Sequence, residues 1–430
     1  MVLLAFIGLR ISDNLLGKKK RKINSEIKKI HILLSEGSSL TSRETITSLK
    51  NEEYIIDILS SSKFPITFFS KWKRKLIPTV NINDNPKEYL NQVSRLINSG
   101  EYQALIPTHE SAWLFSEGRK YLPDKSAIPV PSPEAFAKVQ GKIAFAELSV
   151  ELGIPHPEWF VLEKENYNLL PYPYWLKADY GTAGRSVYKV NNSHERELGI
   201  TLLSDSNSRL MIQKDITGTY GQVQAVFNNG NMIAVHTTLQ KGNGAGGSAA
   251  ARISVDYPTT REHIHKIGSH LNWHGSLTLD FIFSGKIPYY IECNPRMIEP
   301  ANAAISGVNF PKILIALATG KDLPNSLVIG KPGVKTHSIM ALLLGTAEST
   351  KQRFSILKEL WKCIRNKEEF YESTEVLTPF RKDPASIIPL IFILFRLLLS
   401  PEKVISITKH TVENYCVSPK TIAAIRNNNS

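Results

Sequence analysis

Short apolar runs and helix-like segments alternate along the first third of the chain. Residues 28–36 (KKIHILLSE) form an Ile- and Leu-rich run before the turn-prone GSS, which predicts a first strand. The spacing of apolar positions then predicts a helix, a strand, a helix and a strand, in that order, over 41–59, 64–69, 88–97 and 104–107. This alternation predicts a small parallel sheet with helices on its faces over residues 30–130.

From about residue 131 the pattern changes to a meander of strands. A helix is predicted at 142–152, and Asn229-Gly230 between two apolar runs predicts a hairpin. Ser284-Gly285 separates two final strands. Residues 131–330 are therefore predicted as an α+β unit, distinct from the Rossmann-like α/β unit before them.

The parallel unit lacks a GxGxxG after its first strand, so dinucleotide binding is not predicted there. Its segment 106–110 (IPTHE) ends a strand, the place where open α/β sheets bind ligands. Alternatively, Thr108 caps the next helix and Glu110 favours the positive N-terminus of that helix. We favour the second interpretation, because helix capping alone accounts for both residues.

The net charge of +13 resides at the two ends of the chain. Residues 1–29 hold 8 basic and 2 acidic side chains, and residues 331–430 hold 15 and 9, so each flank carries +6 and residues 30–330 carry +1. The nearly neutral middle argues against nucleic acid as a partner. We predict a basic N-terminal extension over 1–29 and a basic, mostly helical C-terminal extension over 331–430.

Two apolar runs, 1–9 and 387–399, are each shorter than the roughly 20 residues that a membrane-spanning helix needs. The basic cluster 18–22 follows the first run, which is the opposite order to a secretory signal. We predict no transmembrane helix. The second run is either a helix packed on the core or an interfacial helix, which makes an anionic membrane surface a candidate partner through the flanks.

The three cysteines are widely spaced and form no CxxC pair, so neither a disulfide framework nor a zinc site is predicted. A reducing compartment fits this cysteine usage best. The expected location is the cytoplasm, with peripheral attachment to the membrane as the alternative.

Residues 275–297 (GSLTLDFIFSGKIPYYIECNPRM) hold the most informative polar side chains. Glu292 and Asn294 share one face of a strand, because alternate side chains point the same way. Asp280 lies on the partner strand of the same hairpin. Two carboxylates and an amide oxygen near a strand end suit a hard cation that shares its ligand shell with phosphates.

Basic side chains and a glycine-bearing turn supply candidates for phosphate binding. Lys177 lies inside an apolar strand, where an ammonium without a partner would be costly. A turn follows it whose backbone can approach a phosphate, with Gly181, Thr182, Gly184 and Ser186. We propose Lys142, Lys177 and Arg296 as phosphate ligands.

Together these motifs resemble the ATP-grasp superfamily, in particular the carboxylate-amine ligase branch related to carbamoyl-phosphate synthase and biotin carboxylase. The resemblance covers residues 30–330. It rests on the order of six elements: Gly141-Lys142, Lys177 with its glycine turn, 213–216 (QKDI), 246–248 (GGS), Asp280, and 292–296 (ECNPR). It implies a Rossmann-like pre-ATP-grasp domain, then an ATP-grasp fold, then the helical C-terminal extension.

The resemblance also implies roles for individual residues. Lys142 and Lys177 would contact the ATP phosphates, and the turn from Gly181 to Ser186 would close over them. The adenine hinge would consist of Gln213, Lys214, Asp215 and Ile216. Asp280, Glu292 and Asn294 would hold two Mg²⁺, with Mn²⁺ as an alternative, and Arg296 would stabilise the transferring phosphoryl group.

The sequence departs from the family pattern at three places. Gly141-Lys142 stands where an Asp-Lys pair is usual, and Gln213-Lys214 where Gln-Glu is usual. The acid expected soon after Gly218 to bind ribose hydroxyls is missing, and Tyr220 and Gln222 stand there. These departures concern nucleotide binding, whereas the three metal ligands are all present.

The predicted function is that of a ligase that uses ATP to join a small-molecule carboxylate to an amine through an acyl phosphate. Arg252 is a candidate for binding the substrate carboxylate, or else a surface arginine on a strand. A carboxylase, a kinase, and a degenerate ATP-grasp scaffold that binds membranes are the alternatives. Residues 241–247 (KGNGAGG) are predicted as a mobile lid, because four glycines in seven residues leave little to fix the backbone.

Overall fold

The computed structural model describes residues 29–50, 53–123, 127–163, 169–181, 186–204, 209–413 and 415–426. The predictions made for Thr182, for Gly184 and for residues 1–28 lie outside this part of the chain. Within it, the strands form three sheets with helices around them, and the predicted α/β and α+β fold class is confirmed.

The N-terminal unit is a four-stranded parallel sheet in the order β3-β2-β1-β4. Its strands are β1 Ile30–Leu34, β2 Tyr54–Ser60, β3 Lys75–Pro78 and β4 Ala104–Ile106. Its helices are α1 Leu40–Ser48, α2 Pro86–Asn98 and α3 Ser111–Glu117. The sheet core is apolar, since Ile32, Leu34, Ile58 and Ile106 are all fully buried. These side chains pack against α1 and the next unit.

Two elements of this unit differ from the sequence prediction. The predicted helix over 41–59 is α1 followed by β2, and the predicted strand over 64–69 is a single 3-10 turn at Ile66–Phe69. All of residues 41–47 are buried although six of them are polar or charged, so the spacing of apolar residues does not mark the end of α1. Pro65 precedes the 3-10 turn with the fixed φ that such a turn needs.

The middle of the chain forms a small antiparallel sheet in the order β5-β8-β6-β7. Its strands are β5 Trp159–Val161, β6 Tyr174–Ala178, β7 Val187–Val190 and β8 Leu210–Lys214. The helices around it are α4 Pro133–Gln140, α5 Lys142–Glu151 and α6 Ser193–Ser204. The predicted helix at 142–152 is therefore present as α5.

A second, larger sheet runs in the order β13-β12-β9-β10-β11-β15-β16, with β14 beside β10. Its strands are β9 Thr219–Asn228, β10 Asn231–Asn243, β11 Ala249–Val255, β12 Gly275–Ser284, β13 Ile287–Asn294, β14 Val328–Ile329, β15 Lys335–His337 and β16 Thr374–Glu375. The helices beside it are α7 Pro258–His270, α8 Ala301–Ile305 and α9 Phe310–Thr319. The predicted hairpin at Asn229-Gly230 is confirmed, since both residues have positive φ, at 45° and 80°.

The C-terminal extension is mostly helical. Its helices are α10 Ile339–Thr350, α11 Arg353–Ile364, α12 Ile387–Leu399, α13 Val404–Glu413 and α14 Pro419–Arg426. Residues beyond 330 also supply β15 and β16 to the large sheet, so the extension is built onto that sheet. Among the residues described, no helix has the length and apolar character needed to cross a membrane.

Candidate active site

The three predicted metal ligands lie together at the end of the β12–β13 hairpin. Asp280 of β12 is paired with Glu292 of β13, and the amide of Asn294 donates to Oδ2 of Asp280 at 3.0 Å. A register shift between Asp280 and Phe281 is what places Asp280 opposite Glu292. If the register at the hairpin turn continued without the bulge, Asp280 would lie opposite Ile291. The one extra residue therefore brings the carboxylates of Asp280 and Glu292 to the same face of the sheet.

Asp280 is deeply placed and already carries hydrogen bonds. It is 8% exposed, and Nε2 of Gln222 donates to its Oδ1 at 2.8 Å. Burial, followed by the charge of Glu292, raises the pKa of Asp280 to about 6. Two carboxylates and an amide oxygen in this arrangement form an oxygen-donor set that fits a hard dication, which would offset the repulsion between the two acids.

Two buried lysines reach across from the small sheet to this hairpin. Nζ of Lys142, at the start of α5, lies 3.5 Å from Oε1 of Glu292. Nζ of Lys177 on β6 donates to the carbonyl of Ile291, the residue at the bulge, at 3.4 Å. Lys142 and Lys177 are 5% and 6% exposed. The cleft between the two sheets therefore brings both predicted phosphate-binding lysines to the predicted metal ligands.

The charge state of Lys177 is set by its surroundings. Burial lowers its pKa to about 8, while the charge of Glu292 opposes the shift and that of Lys142 adds to it. A phosphate that binds beside this ammonium would stabilise its charged form, because the present partners of Lys177 only partly replace the water lost on burial.

Arg296 follows the same strand and is 9% exposed. Its backbone N–H donates to the carbonyl of Asn294 at 2.7 Å, and its own carbonyl accepts from the hydroxyl of Thr278 at 2.7 Å. The pKa of His109 is lowered well below its ordinary value, first by burial and then by the positive charge of Arg296. The arginine thus faces the boundary between the large sheet and the N-terminal unit.

The start of α5 is capped by a residue from β6's end. The backbone N–H of Ile143 donates to Oδ1 of Asp179 at 2.9 Å, and that of Lys142 donates to the Asp179 carbonyl at 3.0 Å. A Cβ at Gly141 would lie 2.7 Å from Oδ1 of Asp179. Glycine in place of the usual aspartate therefore has a structural cause, since Asp179 occupies the space and supplies the cap.

Two of the four glycine-turn residues lie in the described part of the chain, and both contact Lys142. Its Nζ donates to the carbonyl of Gly181 at 3.2 Å and to Oγ of Ser186 at 3.3 Å. Gly181 has a φ of 147°, which a residue with a side chain rarely adopts. The ends of the turn are therefore joined through the lysine that also contacts Glu292.

The predicted adenine hinge comprises the last two residues of β8 and the two residues after them. Gln213 is 1% exposed and pairs with a ring nitrogen of His156 at 3.2 Å. Asp215 accepts from Nε1 of Trp175 and from Nζ of Lys189, each at 2.7 Å. Lys214 is exposed with Nζ 3.8 Å from Glu158, and Ile216 is half-buried. The side chains of Lys214 and Asp215 thus have partners on their own sheet or at the surface.

A polar chain that the sequence analysis did not identify links the metal ligands to a neighbouring pocket. Nη1 of Arg252 donates to Oε1 of Gln222 at 2.6 Å, and Gln222 in turn donates to Asp280. Nη2 of Arg252 pairs with Oε2 of Glu299 at 2.5 Å. Polar residues at 220, 222 and 224 alternate with apolar ones in β9, and this alternation was the signal for a polar face. Arg252 is 7% exposed, so it is not a surface arginine.

This pocket, with a cavity volume of about 20 Å³, lies between α1, α8, β11 and α10. Arg252, Glu44 and Glu299 line it. Burial, followed by the charge of Glu299, raises the pKa of Glu44 to about 8. Asn302 also lines it, is 3% exposed, and donates through Nδ2 to Oγ1 of Thr336 at 2.8 Å. Glu299 has a φ of 37°, a strained conformation that often marks a functional position.

The glycine-rich loop at 241–247 joins β10 to β11 and packs against α10. The backbone N–H of Gly246 donates to Oε2 of Glu348 at 2.6 Å, and a Cβ at Gly345 would lie 2.2 Å from the carbonyl of Asn243. Nε2 of Gln240 also donates to the carbonyl of Ser248 at 3.1 Å. The expectation that little fixes this backbone is wrong, because α10 and Gln240 supply partners.

The interpretation of Thr108 as a helix cap is wrong, whereas Glu110 does stand at the N-cap position of α3. Glu110 makes no side-chain cap on α3, and its Oε2 accepts from the backbone N–H of Val417 at 2.5 Å. The hydroxyl of Thr108 donates to Oε1 of Glu36 at 3.1 Å. Both residues instead tie the sheet edge to other segments, one of them the C-terminal extension.

Part of the chain matches known proteins. Residues 139–300 match the ATP-grasp domain family. The large chain of carbamoyl phosphate synthase from Pyrococcus furiosus is 26% identical over 223 residues, which cover 47% of this chain and 20% of that protein. The chain thus spans about a fifth of the length of that relative, and 24% of the length of the Clostridium acetobutylicum relative.

Two solved structures share the fold. The N5-carboxyaminoimidazole synthetase from Staphylococcus aureus complexed with ADP has a TM-score of 0.58 at 17% identity, covering 77% of this chain and 89% of that one. The biotin carboxylase domain of the Hydrogenobacter thermophilus 2-oxoglutarate carboxylase, in complex with MgADP and bicarbonate, has a TM-score of 0.55 at 18% identity, covering 69% and 71%. The resemblance predicted from the motifs is confirmed.

Proposed function

Because residues 139–300 match the ATP-grasp domain family, we propose that the chain is an ATP-dependent ligase that forms a carbon–nitrogen bond. In this proposal a carboxylate is activated as an acyl phosphate and joined to an amine, and ADP and phosphate are released. The observation that carries the proposal is the convergence of Lys142 and Lys177 on the Asp280–Glu292 pair, across the cleft between the two sheets.

ATP would bind in this cleft with its phosphates between the two lysines. Nζ of Lys142 already contacts Gly181, Ser186 and Glu292, so it would be able to contact a phosphate bound there while it stays in the site. Gln213, Lys214, Asp215 and Ile216 would border the adenine, mainly through their backbone, because Asp215 and Lys214 have other partners. The similar Staphylococcus aureus structure is a complex with ADP, which supports nucleotide binding by this fold.

Asp280, Glu292 and Asn294 would hold Mg²⁺, for which Mn²⁺ is a substitute with similar ligand preferences. When bound, the metal would offset the negative charge of the phosphates. Gln222 keeps Oδ1 of Asp280 oriented, and Asn294 keeps Oδ2 in place. The chain therefore presents its carboxylates already positioned, which lowers the reorganisation needed on binding.

The chemistry follows from charge and position. An oxygen of the substrate carboxylate attacks the γ-phosphorus, and the bond to the β-phosphate oxygen breaks to release ADP. Lys177 and Arg296 offset the negative charge on the phosphoryl group as it transfers. The amine nitrogen then attacks the acyl carbon, phosphate leaves, and the amine loses a proton.

The substrates would occupy the pocket lined by Arg252, Glu44 and Glu299. Arg252 and Glu299 suit a zwitterion, with the substrate carboxylate at Arg252 and its ammonium at Glu299, whereas Glu44, with its pKa raised to about 8, is protonated at neutral pH. To bind a carboxylate, Arg252 would exchange its contact with Glu299, which frees Glu299 for the ammonium. Amino acids are therefore the substrate class that we propose for this pocket.

We propose that the enzyme acts on small molecules in the cytoplasm. The three free cysteines and the nearly neutral charge of residues 30–330 support this proposal. A carboxylase or a kinase would use the same ATP and metal site, and a degenerate scaffold would use neither. Measurement of ADP release with pools of amino acids separates these activities. The proposal expects release to rise when the right pool is added; stimulation by bicarbonate alone would indicate a carboxylase.

A further inference from the structure

Helix α12 exposes an apolar stripe. Ile388, Ile391, Phe392, Phe395 and Leu399 are between 48% and 60% exposed. Their spacing of three and four residues places them on one face of the helix. The opposite side packs on α10, where Leu397 is fully buried. A stable soluble helix would normally carry polar residues on the exposed face.

Helix α11 exposes a second stripe beside the first. Phe354, Leu357, Trp361 and Ile364 are between 47% and 77% exposed. The helices pack against each other, and Nη2 of Arg353 donates to the carbonyl of Leu399 at 2.8 Å, so the start of α11 adjoins the end of α12. We call the exposed face of α11 and α12 together the apolar face. Contiguous exposed apolar surface of this kind marks an interaction site.

The exposed charges within these two helices are all positive, and the exposed Glu368, just after α11, pairs with Lys362 at 2.6 Å. Helix α12 contains Arg396 and no acid. The single acid of α11, Glu359, is 7% exposed and lies 3.3 Å from Nζ of Lys362. Arg396 lies over the ring of Phe392 at 5.6 Å, and Arg365, just after α11, lies over that of Trp361 at 4.5 Å. Basic groups beside exposed aromatic rings are the arrangement found where a protein meets the headgroups of a bilayer.

We propose that the apolar face docks on an anionic lipid surface, with its aromatic and aliphatic side chains inserted shallowly and its basic residues among the headgroups. Neither helix is long enough to span a bilayer, since α11 and α12 have 12 and 13 residues. A second copy of the chain fits less well, because a two-fold pairing would bring like charges together. The sequence also holds an apolar and basic segment at residues 1–22, which adds positive charge to the same chain.

The test is co-sedimentation of the full chain with vesicles. The proposal expects binding to vesicles of phosphatidylcholine and phosphatidylserine at low salt, weaker binding at high salt, and little binding to phosphatidylcholine alone. Phe395→Ser and Trp361→Ser should each weaken binding about tenfold, because they remove inserted apolar surface. Leu202→Ser is the matched control, since Leu202 is 57% exposed on α6, away from this face.

All three side chains are exposed, so the variants should unfold at the temperature of the wild type. Absence of binding to the anionic vesicles, or an equal loss in Leu202→Ser, would overturn the proposal. The proposal would also be overturned if the wild type were a dimer that binds no vesicles and Trp361→Ser were a monomer, since that result assigns the apolar face to a second copy of the chain.

Trp361 provides a direct readout of insertion. Its emission should shift to shorter wavelength when anionic vesicles are added, and brominated lipid should quench it. Trp361→Phe keeps an apolar ring, so it should still bind while most of the spectral shift is lost. An unchanged shift in this variant would place the lipid contact elsewhere and contradict the proposed face.

Discussion

Gly141 leaves no room for a side chain, because a Cβ there would lie 2.7 Å from Oδ1 of Asp179. The same oxygen accepts the backbone N–H of Ile143 and caps the helix that begins with Lys142. The glycine, the cap and the phosphate-binding lysine therefore form one unit. A position that departs from the family pattern is thus explained by a neighbour two residues beyond Lys177.

Gly141→Ala should lower both stability and activity. The added methyl group displaces the cap, which costs about 1–2 kcal/mol in the free energy of unfolding and moves Lys142. Chemical denaturation measures the first effect and the KM for ATP the second. In an Asp179→Ala background the same substitution should cost much less, because the clash is gone. Additive effects of the two substitutions would contradict the proposed contact.

Apparent ATP affinity should fall as the pH rises above about 8. The pKa of Lys177 is lowered to about 8, so the free protein loses this charge in that range, whereas bound phosphates favour the protonated form. The dissociation constant of ATP should then rise by up to about tenfold per pH unit until the pKa of the complex is reached. Isothermal titration at several pH values measures this slope and the accompanying proton uptake.

Lys177→Arg is the matched control for this pH dependence. A guanidinium keeps its charge throughout the range, so the affinity of this variant should be nearly independent of pH, even where its absolute value is weaker. An identical slope in the wild type and in the arginine variant would assign the titration to another group.

Glu292→Gln should reduce Mg-dependent turnover far more than it reduces stability. The substitution keeps the size of the side chain but removes a charge that faces Asp280 and Lys142. Glu158→Gln is the control, since Glu158 is exposed and lies 3.8 Å from Lys214. Retention of more than about a tenth of the wild-type kcat, a loss of under ~1.4 kcal/mol, would reject Glu292 as a metal ligand.

Gly345→Ala should loosen the loop at 241–247, although alanine normally stabilises a helix interior by about 1 kcal/mol relative to glycine. The methyl group would lie 2.2 Å from the carbonyl of Asn243 and push the loop off α10. Limited trypsin digestion should therefore cut faster at Lys241 than in the wild type. A slower cut, with a gain in stability, would mean that α10 does not hold the loop.

Much of the site could be predicted from residue type and order alone. Glu292 and Asn294 alternate on one strand, Lys177 stands out in an apolar run, and Asn229-Gly230 requires a hairpin. The pairing of Asp280 with Glu292 could not be predicted, because it depends on a bulge whose position the sequence does not mark. Arg252 and Glu299 come together through tertiary contacts between distant segments.

The failures have a common cause in burial by other units. Helix α1 is buried although most of its residues are polar or charged, so the spacing of apolar residues did not show where it ends and β2 begins. The glycine-rich loop looked unsupported because its partner, Glu348, lies about a hundred residues later in the chain. The periodicity of apolar residues reports on a single helix or strand, whereas α1 and the loop at 241–247 are held by contacts with other elements.

The identity of the nucleotide product tests the central claim most directly. With ATP, Mg²⁺ and the stimulating amino acids, phosphorus NMR should detect ADP and phosphate in equal amounts, and hydroxylamine should trap the activated acid as a hydroxamate. Both results follow from attack of a carboxylate on the γ-phosphorus. Formation of AMP and pyrophosphate instead would mean that the acid is activated as an adenylate, and it would contradict the account.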